Sequence, residues 1–327
     1  MNSLSAYFQL TKRNFKIFFK NKIQVFYTLL VPVIIIIIYL LFLRAIEMNM
    51  VNDIVKQQLG ESALKDATLM KYVSTCMDGW MIGGIVALST VTMAIQTDAI
   101  IVKDKENGIN RDFASSPVGK KSLIFSYFSF NFIITFMLCL IVLLLCWVVL
   151  ACAGEFYLSF GGAMLTIATL AFTVIPSTLL TVFICTFIHH DNTLAAVVAI
   201  FSTAVGFVIG SYIPLGMMPM WAQSVCDFFP GTYSTSLLRY CMLDNPIKLT
   251  TDYVNQAYPG KADELMKQVS NLIGYNLNFA NQTITPWMQS LVVIGIIALL
   301  VCLNIFTAKK LTLVESGNPR KKKKGHK

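Results

Sequence analysis

Six stretches of this chain, each of about 20 residues or more, carry almost no charge, and they leave few folds open to it. A helix needs about 20 predominantly apolar residues to cross a hydrocarbon core roughly 30 Å thick. The stretches cover residues 23–46, 79–102, 123–152, 161–188, 193–213 and 287–308. The isoleucine run at 34–38 would favour a strand in water. In lipid a lone strand leaves its backbone groups unsatisfied, so a helix is expected instead. Pro32 and Pro176 fall inside the first and fourth stretches, where they predict kinks and not breaks. Hydrophobic residues make up 56% of the chain and charged ones 13%, about half the charge of a soluble domain. The expectation is an all-α integral membrane protein with six transmembrane helices. The 327 residues leave no room for a large soluble catalytic domain as well.

Lys and Arg positions predict the orientation. Eighteen of the 26 fall on segments that an N-in, C-in layout leaves in the cytoplasm. They are Lys12, Arg13, Lys16, Lys20 and Lys22 before the first span, and Lys103, Lys105, Arg111, Lys120 and Lys121 between the second and third. Lys309, Lys310, Arg320, Lys321, Lys322, Lys323, Lys324 and Lys327 follow the sixth. The intervening loops hold about as many acids as bases or more, as the positive-inside rule requires. The net charge of +9 therefore reads as topogenic flanks and a basic tail at 311–327 facing anionic headgroups. No aromatic-interleaved basic domain points to nucleic acid.

Residues 1–22 are too interspersed with basic residues, and the following apolar run is too long, for a cleavable signal. Leu4, Phe8, Phe15 and Phe18 recur at helical spacing, with Lys12, Lys16 and Lys20 on another face. That pattern predicts an amphipathic helix lying in the membrane interface. Two outer loops are expected, at 47–77 and 214–286. The first is polar, with a short helix around 52–64. The second begins with Met217, Met218, Met220, Trp221, Val225, Phe228 and Phe229 among Pro214, Pro219 and Pro230, which suits a re-entrant helical hairpin. Its later part, about 261–277, reads as a surface helix with Leu265, Val269, Leu272 and Ile273 on one side. Cys226 and Cys241 lie in that loop, either paired or as free thiols. Asn281-Gln-Thr283 is a glycosylation triplet with no meaning in a bacterium.

Several chemistries have no motif to carry them. No G-x-x-x-x-G-K-[ST] phosphate loop occurs, nor H-E-x-x-H, G-x-S-x-G or a Cys/His cluster at metal spacing. His189, His190 and Asp191 are neighbours on a tight turn and point apart, which suits capping better than metal binding. Arg44, Asp78 and Asp98 are the ionisable groups nearest the spans, and each is expected near a helix end within reach of headgroups. Ser89, Thr90, Thr92, Thr166, Thr169, Thr173, Ser177, Thr178 and Thr181 place hydroxyls in the spans without a central acid, against an ion-driven carrier.

The segment after the second span reads Lys103-Asp-Lys-Glu-Asn-Gly-Ile-Asn-Arg-Asp-Phe-Ala-Ser-Ser-Pro-Val-Gly-Lys120. It is short, mixed in charge and ridged by Ile109, Phe113 and Val118, a form suited to docking on a partner. Glu106, Gly108, Arg111, Phe113, Ser116, Pro117 and Val118 resemble the inner-loop pattern of type-2 ABC exporter permeases, the family of drug, O-antigen and teichoic acid exporters. A second match follows the fifth span, in Gly210, Pro214, Met218, Pro219, Trp221, Gln223, Pro230, Tyr233, Leu238 and Arg239. Asn110 departs from the leucine frequent there, and the segment 241–287 is long for the smaller members.

The resemblance implies that two permeases pair, as a homodimer or with a paralogue. Each inner loop, 102–121, would seat as a coupling helix in one of two separate ATPase subunits through Glu106, Gly108, Ile109, Arg111, Phe113, Ser116, Pro117 and Val118. ATP and Mg would be bound by those subunits, and this chain would hold no cofactor. Gly210, Pro214, Met218, Pro219, Trp221, Pro230, Tyr233 and Arg239 would form the outer hairpin. The expected role is ATP-driven outward movement of an amphiphile (a drug, peptide or lipid-linked glycan) across a bacterial plasma membrane. Two other classes need different residues. A secondary carrier or channel needs a buried acid or polar pore stripe, and a lipid-modifying enzyme needs an interfacial His/Asp/Glu cluster.

Overall fold

The structure, a computed structural model, describes residues 3–116, 119–273, 275, 278–279 and 282–312. It is all-helical apart from a two-residue ladder that pairs Asn278 with Thr283 and Phe279 with Gln282. Helix α1 is Ser3–Lys20, and α2 is Lys22–Ile38. A π-helical turn, Tyr39–Leu43, runs straight into α3, Arg44–Leu59. Then come α4 (Ala67–Thr97), α5 (Ala99–Glu106), α6 (Ile109–Ser115), α7 (Lys120–Ala153), α8 (Phe160–Cys185) and α9 (Asp191–Val208). The remaining helices are α10 (Met220–Asp227), α11 (Pro230–Ala257), α12 (Ala262–Ile273) and α13 (Pro286–Thr307), the last followed by a 3-10 turn, Ala308–Thr312.

Among the described residues six helical segments are long and apolar enough to cross a membrane: Lys22–Leu59, Ala67–Glu106, Lys120–Ala153, Phe160–Cys185, Asp191–Val208 and Pro286–Leu311. The first two are much longer than their apolar runs. At 1.5 Å per residue, 40 residues extend about 60 Å, twice the thickness of a hydrocarbon core. The stretch 47–77, expected as a polar loop with one short helix, is therefore mainly helix, interrupted only between Leu59 and Ala67. The polar residues that suggested a loop are the solvent face of α3, whose Val51, Val55 and Leu59 are buried. Asp66 restarts the chain as an N-cap, accepting hydrogen bonds from the backbone N–H of Thr68 at 3.1 Å and of Leu69 at 3.2 Å.

Helix α4 is the axis of the fold. Every residue from 73 to 95 is buried, and the helix packs against α2, α7, α8, α9 and α11. The last of these partners is absent from the sequence expectations. Arg239, Asp244, Lys248 and Asp252 make α11 too polar to read as a span, and Pro246 interrupts it, yet it is one 28-residue helix. It reaches α4 closely because Gly83 has no side chain. A Cβ on Gly83 would stand 2.8 Å from Arg239 Cγ and 3.2 Å from the Arg239 Cα. Small residues that admit a neighbouring backbone are the usual means of close helix packing in lipid.

The two ends of the bundle differ. One end carries α1, α6, the α8–α9 turn and the 3-10 turn after α13. The other carries α3 and α12, with Val51, Val55, Val254, Leu265, Val269 and Ile273 in one buried cluster. The surface helix expected at about 261–277 is thus α12, with Leu265, Val269 and Ile273 covered by α3 and α11. Leu4 and Phe8 of α1 are exposed, whereas Phe15 and Phe18 stack edge-on against Phe130 of α7, at 5.3 and 5.9 Å between ring centroids. The amphipathic stripe therefore divides between the bundle and the surface.

Gly83→Val forces two branched methyls into the Arg239 backbone, and overpacking of this kind typically costs about 1–3 kcal/mol. The expected outcome is a lower thermal midpoint of the purified chain in detergent. An unchanged midpoint would mean that α4 and α11 do not meet at this glycine.

Candidate functional site

The segment between α5 and α6 concentrates the bonds that link helices. Gly108 takes the left-handed conformation (φ 78°), reversing the chain from the end of α5 into the seven-residue α6. Immediately before it, three consecutive side chains each reach a different helix. Asp104 receives a two-pronged ion pair from Arg13 of α1, at 2.8 Å from Nη1 and 2.7 Å from Nη2, and a hydrogen bond from the Tyr127 hydroxyl at 2.6 Å. Lys105 is buried and donates to the carbonyls of Cys185 at 2.8 Å, Thr186 at 2.5 Å and Ile188 at 3.0 Å. It thereby caps the C-terminal end of α8, where a cation also meets the negative end of the helix dipole. Glu106 accepts from the backbone N–H of Asp191 at 3.1 Å, at the first turn of α9, and lies 3.8 Å from His190 Nδ1.

This arrangement gives each residue of the first motif a place. Glu106 and Arg111 are exposed, as is Asp112, while Ile109 is half-buried. Phe113 is half-buried beneath the Arg13 guanidinium, 5.5 Å from the ring centroid, and packs on the core. Ser116 donates to the Phe113 carbonyl at 3.0 Å and closes the helix. The outward face of α6 is thus polar (Arg111, Asp112, Ser115), and its aromatic residue holds it to the bundle. Pro117 and Val118 lie outside the described residues. The His189–Asp191 turn serves as a cap partner, and no group of metal-ligating side chains forms among the described residues.

The second motif assembles around Arg239. Although fully buried, its guanidinium donates from Nε to the Trp80 carbonyl at 3.1 Å and from Nη2 to the Gly210 carbonyl at 2.7 Å. The Trp80 ring lies 4.4 Å from the charge. Ser211 completes the joint by donating to the Gly84 carbonyl at 2.8 Å. Pro214 and Tyr233 are buried nearby, and Leu215, Cys226, Tyr233 and Leu237 form a small cluster with Val293 of α13. Pro219 and Pro230 stand at the starts of α10 and α11, and Met218 accepts from Gln223 at 2.8 Å. Met220, Trp221, Val225 and Phe228 are turned outward, and Trp221 is 73% exposed. Trp221 therefore adds little to packing within this chain. Cys226 and Cys241 are both buried free thiols.

Two acids of the spans, Asp78 and Asp98, are more enclosed by the bundle than the sequence suggested. Asp78 is buried because α4 begins 11 residues before it, so it is inside the helix and not at its end. It accepts from the Tyr39 hydroxyl at 2.6 Å and from Arg44 Nε at 2.9 Å and Nη2 at 2.8 Å. Arg44 Nη2 also reaches Glu155 at 2.9 Å, and Ser74 donates to that carboxylate at 2.8 Å. Glu155 is delivered by a helix ending in which Gly154 turns left-handed and the Glu155 N–H returns to the Leu150 carbonyl at 2.9 Å. Burial, and then the neighbouring Asp78, push the Glu155 carboxyl above its usual range. Asp98 is fully buried at the break between α4 and α5, accepting from Thr181 at 2.7 Å. The expected absence of a buried acid is thereby corrected: the bundle holds acids tied to neighbouring helices by hydrogen bonds.

The match to known families decides what this geometry belongs to. The model of the ABC-2 type transporter family fits residues 5–243. The chain belongs to that family. No individual curated protein matches it significantly. As an ABC-2 type membrane permease domain, it has no nucleotide-binding site of its own. Permeases of the ABC-2 type generally work with ATPase subunits, and the matched region spans both motifs, from α1 to the middle of α11. Arg13, Lys105, Arg44 and Glu155 were not anticipated as site residues. Their only sequence signal was charge beside an apolar run, which flanking residues share.

Replacing Lys105 with Met leaves the carbonyls of Cys185, Thr186 and Ile188 without their donor. A buried acceptor stripped of its partner costs about 1–3 kcal/mol. The amides of residues 186–191 are expected to exchange hydrogen faster in the variant, with the chain still inserted. Unchanged protection there would show that Lys105 does not hold the turn.

Proposed function

We propose that this ABC-2 permease exports an amphiphile (a drug, peptide or lipid-linked glycan), with α6 as the coupling helix for a separate ATPase. The observation that carries the reading is the run Asp104-Lys105-Glu106 at the end of α5, which ties the segment leading into α6 to α1, α8 and α9 at once. A push on α6 is shared among three elements and does not dissipate in a loop. The engine is a pair of ATPase subunits carrying ATP and Mg, each seated on one permease of a homodimer or of a dimer with a paralogue. The contact surface on this side is the polar face of Glu106, Arg111, Asp112 and Ser115, and Gly108 and Phe113 fix its angle. Polar faces suit a partner that is itself a soluble protein, where charge sets register more than bulk affinity.

The same reading places α1, α6 and the turn after α13 in the cytoplasm and α3 and α12 outside, in a bacterial plasma membrane. What supports it is charge. Lys12, Arg13, Lys16 and Lys20 of α1, Arg111 of α6, and Lys309 and Lys310 gather at one end. The segment from Gly210 to Tyr233 acts as an outer re-entrant hairpin. Its eight-residue α10 is about 12 Å long, too short to cross, and its outward Met220, Trp221, Val225 and Phe228 suit the bilayer or the second permease. An amphiphilic cargo follows from this apolar surround, which offers a small ion no coordinating shell.

The test is co-purification of the permease with its ATPase, followed by transport in vesicles. Arg111→Glu combined with Asp112→Lys is expected to weaken the complex by about tenfold or more, the cost of reversing a charge pair at a protein interface. Gly108→Pro keeps the chain inserted but uncouples ATP hydrolysis from transport. A complex unaffected by the double charge reversal would remove α6 from the coupling role.

A further inference from the structure

A cavity of about 80 Å³ opens between the first, second and third membrane helices, away from both motifs. Its lining divides cleanly. Tyr39, Arg44, Asp78 and Glu155 form one end, and Ile36, Leu40, Ile82, Ile85, Cys146 and Leu150 line the rest. The floor is buried, whereas Leu40, Val149 and Ala153 on the rim are exposed, next to exposed Leu41, Phe42 and Val148. An apolar rim on a membrane helix admits hydrocarbon in preference to a water-soluble ligand.

Depth supplies the second argument. Counted from Lys22 at 1.5 Å per residue, Arg44 lies about 33 Å along its helix, near the far boundary of a core roughly 30 Å thick. The polar end is therefore at headgroup level. Ile36, Ile85 and Cys146 lie roughly 10–13 Å along their helices from Arg44, Asp78 and Glu155, all in the direction of the α6 end. The apolar part of the cavity thus runs from headgroup level towards the bilayer centre, along the path of an alkyl chain.

Charge selects the head. Asp78 takes two nitrogens of the single guanidinium, Nε and Nη2, and Glu155 shares Nη2 alone. Two carboxylates thus share one guanidinium, and the next cation, Lys71, stands over the Tyr157 ring and forms no ion pair with Glu155. The π-helical turn at Tyr39–Leu43 sets Tyr39 inward on Asp78 and Arg44 between both acids, and such turns are frequent at functional sites. We propose that this cavity binds an amphiphile with a cationic, ammonium-type head, the head on Glu155 and the chain between Ile36, Ile85 and Cys146. The site does not depend on what the transporter exports. The ligand is either a membrane lipid with an amino head or a free long-chain amine.

The experiment uses the full chain with its ATPase in vesicles and two photoreactive probes. One is a dodecylamine carrying a mid-chain diazirine, and the other is the matching uncharged dodecanol. The amine is expected to label residues 82–85 and 146–150 about tenfold more than the alcohol, a preference worth one charge contact. Glu155→Gln removes that preference. Ala153→Phe, which leaves the ionic groups intact and fills the mouth, abolishes labelling by both probes. An excess of amino-head phospholipid that suppresses labelling identifies the lipid source, and suppression only by free alkylamine identifies the other. Equal labelling by both probes, a preference that survives Glu155→Gln, or no labelling of these residues would overturn the site.

Discussion

In a bilayer, burying apolar side chains does not tell one helix where to stop sliding past another, because lipid is as apolar as leucine. Register must come from polar contacts and close approaches, and in this chain a continuous series of them runs along α4. Reading down from Asp66, the helix meets Tyr253 of α11 at 2.8 Å, Arg44 at Asp78, and Arg239 at the Trp80 carbonyl. Below these, Thr90 meets Ser177 of α8 at 2.8 Å, the Ala94 carbonyl meets Asn131 of α7 at 3.1 Å, and the Gln96 carbonyl meets Gln24 of α2 at 2.9 Å. Each rung is worth only about 0.6 kcal/mol on average in a membrane. Together they leave one register for each neighbour.

That ladder determines what α5 and α6 can do. Asp104 and Lys105 are its last rungs, and they fasten α1 and the end of α8 to α5, which continues the line of α4 below Asp78 and Trp80. The interruption at Thr97–Ala99 is the one break in the 40 residues, and Asp98 occupies it with Thr181 as partner. In the proposed mechanism the movement of α6 pivots there. The segment below the break is tied to α1, α7, α8 and α9, and the segment above it to α2, α7, α8, α9 and α11. Rigid pieces either side of a short break are what hinge motion requires.

Much of the architecture was legible because lipid narrows the choices. Apolar runs located all six spans, and the stripe of Phe15 and Phe18 marked α1 as amphipathic. The positions of Glu106, Gly108 and Arg111 marked a junction. The unread part is what depends on distant pairing. Nothing in the sequence around Arg44 announces Glu155, 111 residues away, or shows that Arg239 will lie on Trp80, 159 residues away. The polar stretch 47–77 suggests a loop with only a short helix around 52–64, since a hydropathy window cannot separate a polar loop from a helix leaving the membrane. Phe113 was read as part of a docking ridge, but a lone aromatic beside Arg13 is better used inside, where the cation covers its face.

Arg239, buried, and Arg44, half-buried, show how differently one residue type is used. Arg239 donates from Nε and Nη2 to two backbone carbonyls against an aromatic face, and its role is to join α11 to α4 and to the end of α9. Arg44 faces two carboxylates, lies beside a cavity, and is exposed over about a third of its side chain. A joint needs complete satisfaction, because any donor left over in lipid is costly. A binding site needs the reverse, some capacity left unspent where a ligand can reach it. By that criterion Arg239 belongs to the scaffold, whereas the group at Arg44 and Glu155, with a surplus carboxylate at headgroup depth, is built to take a partner.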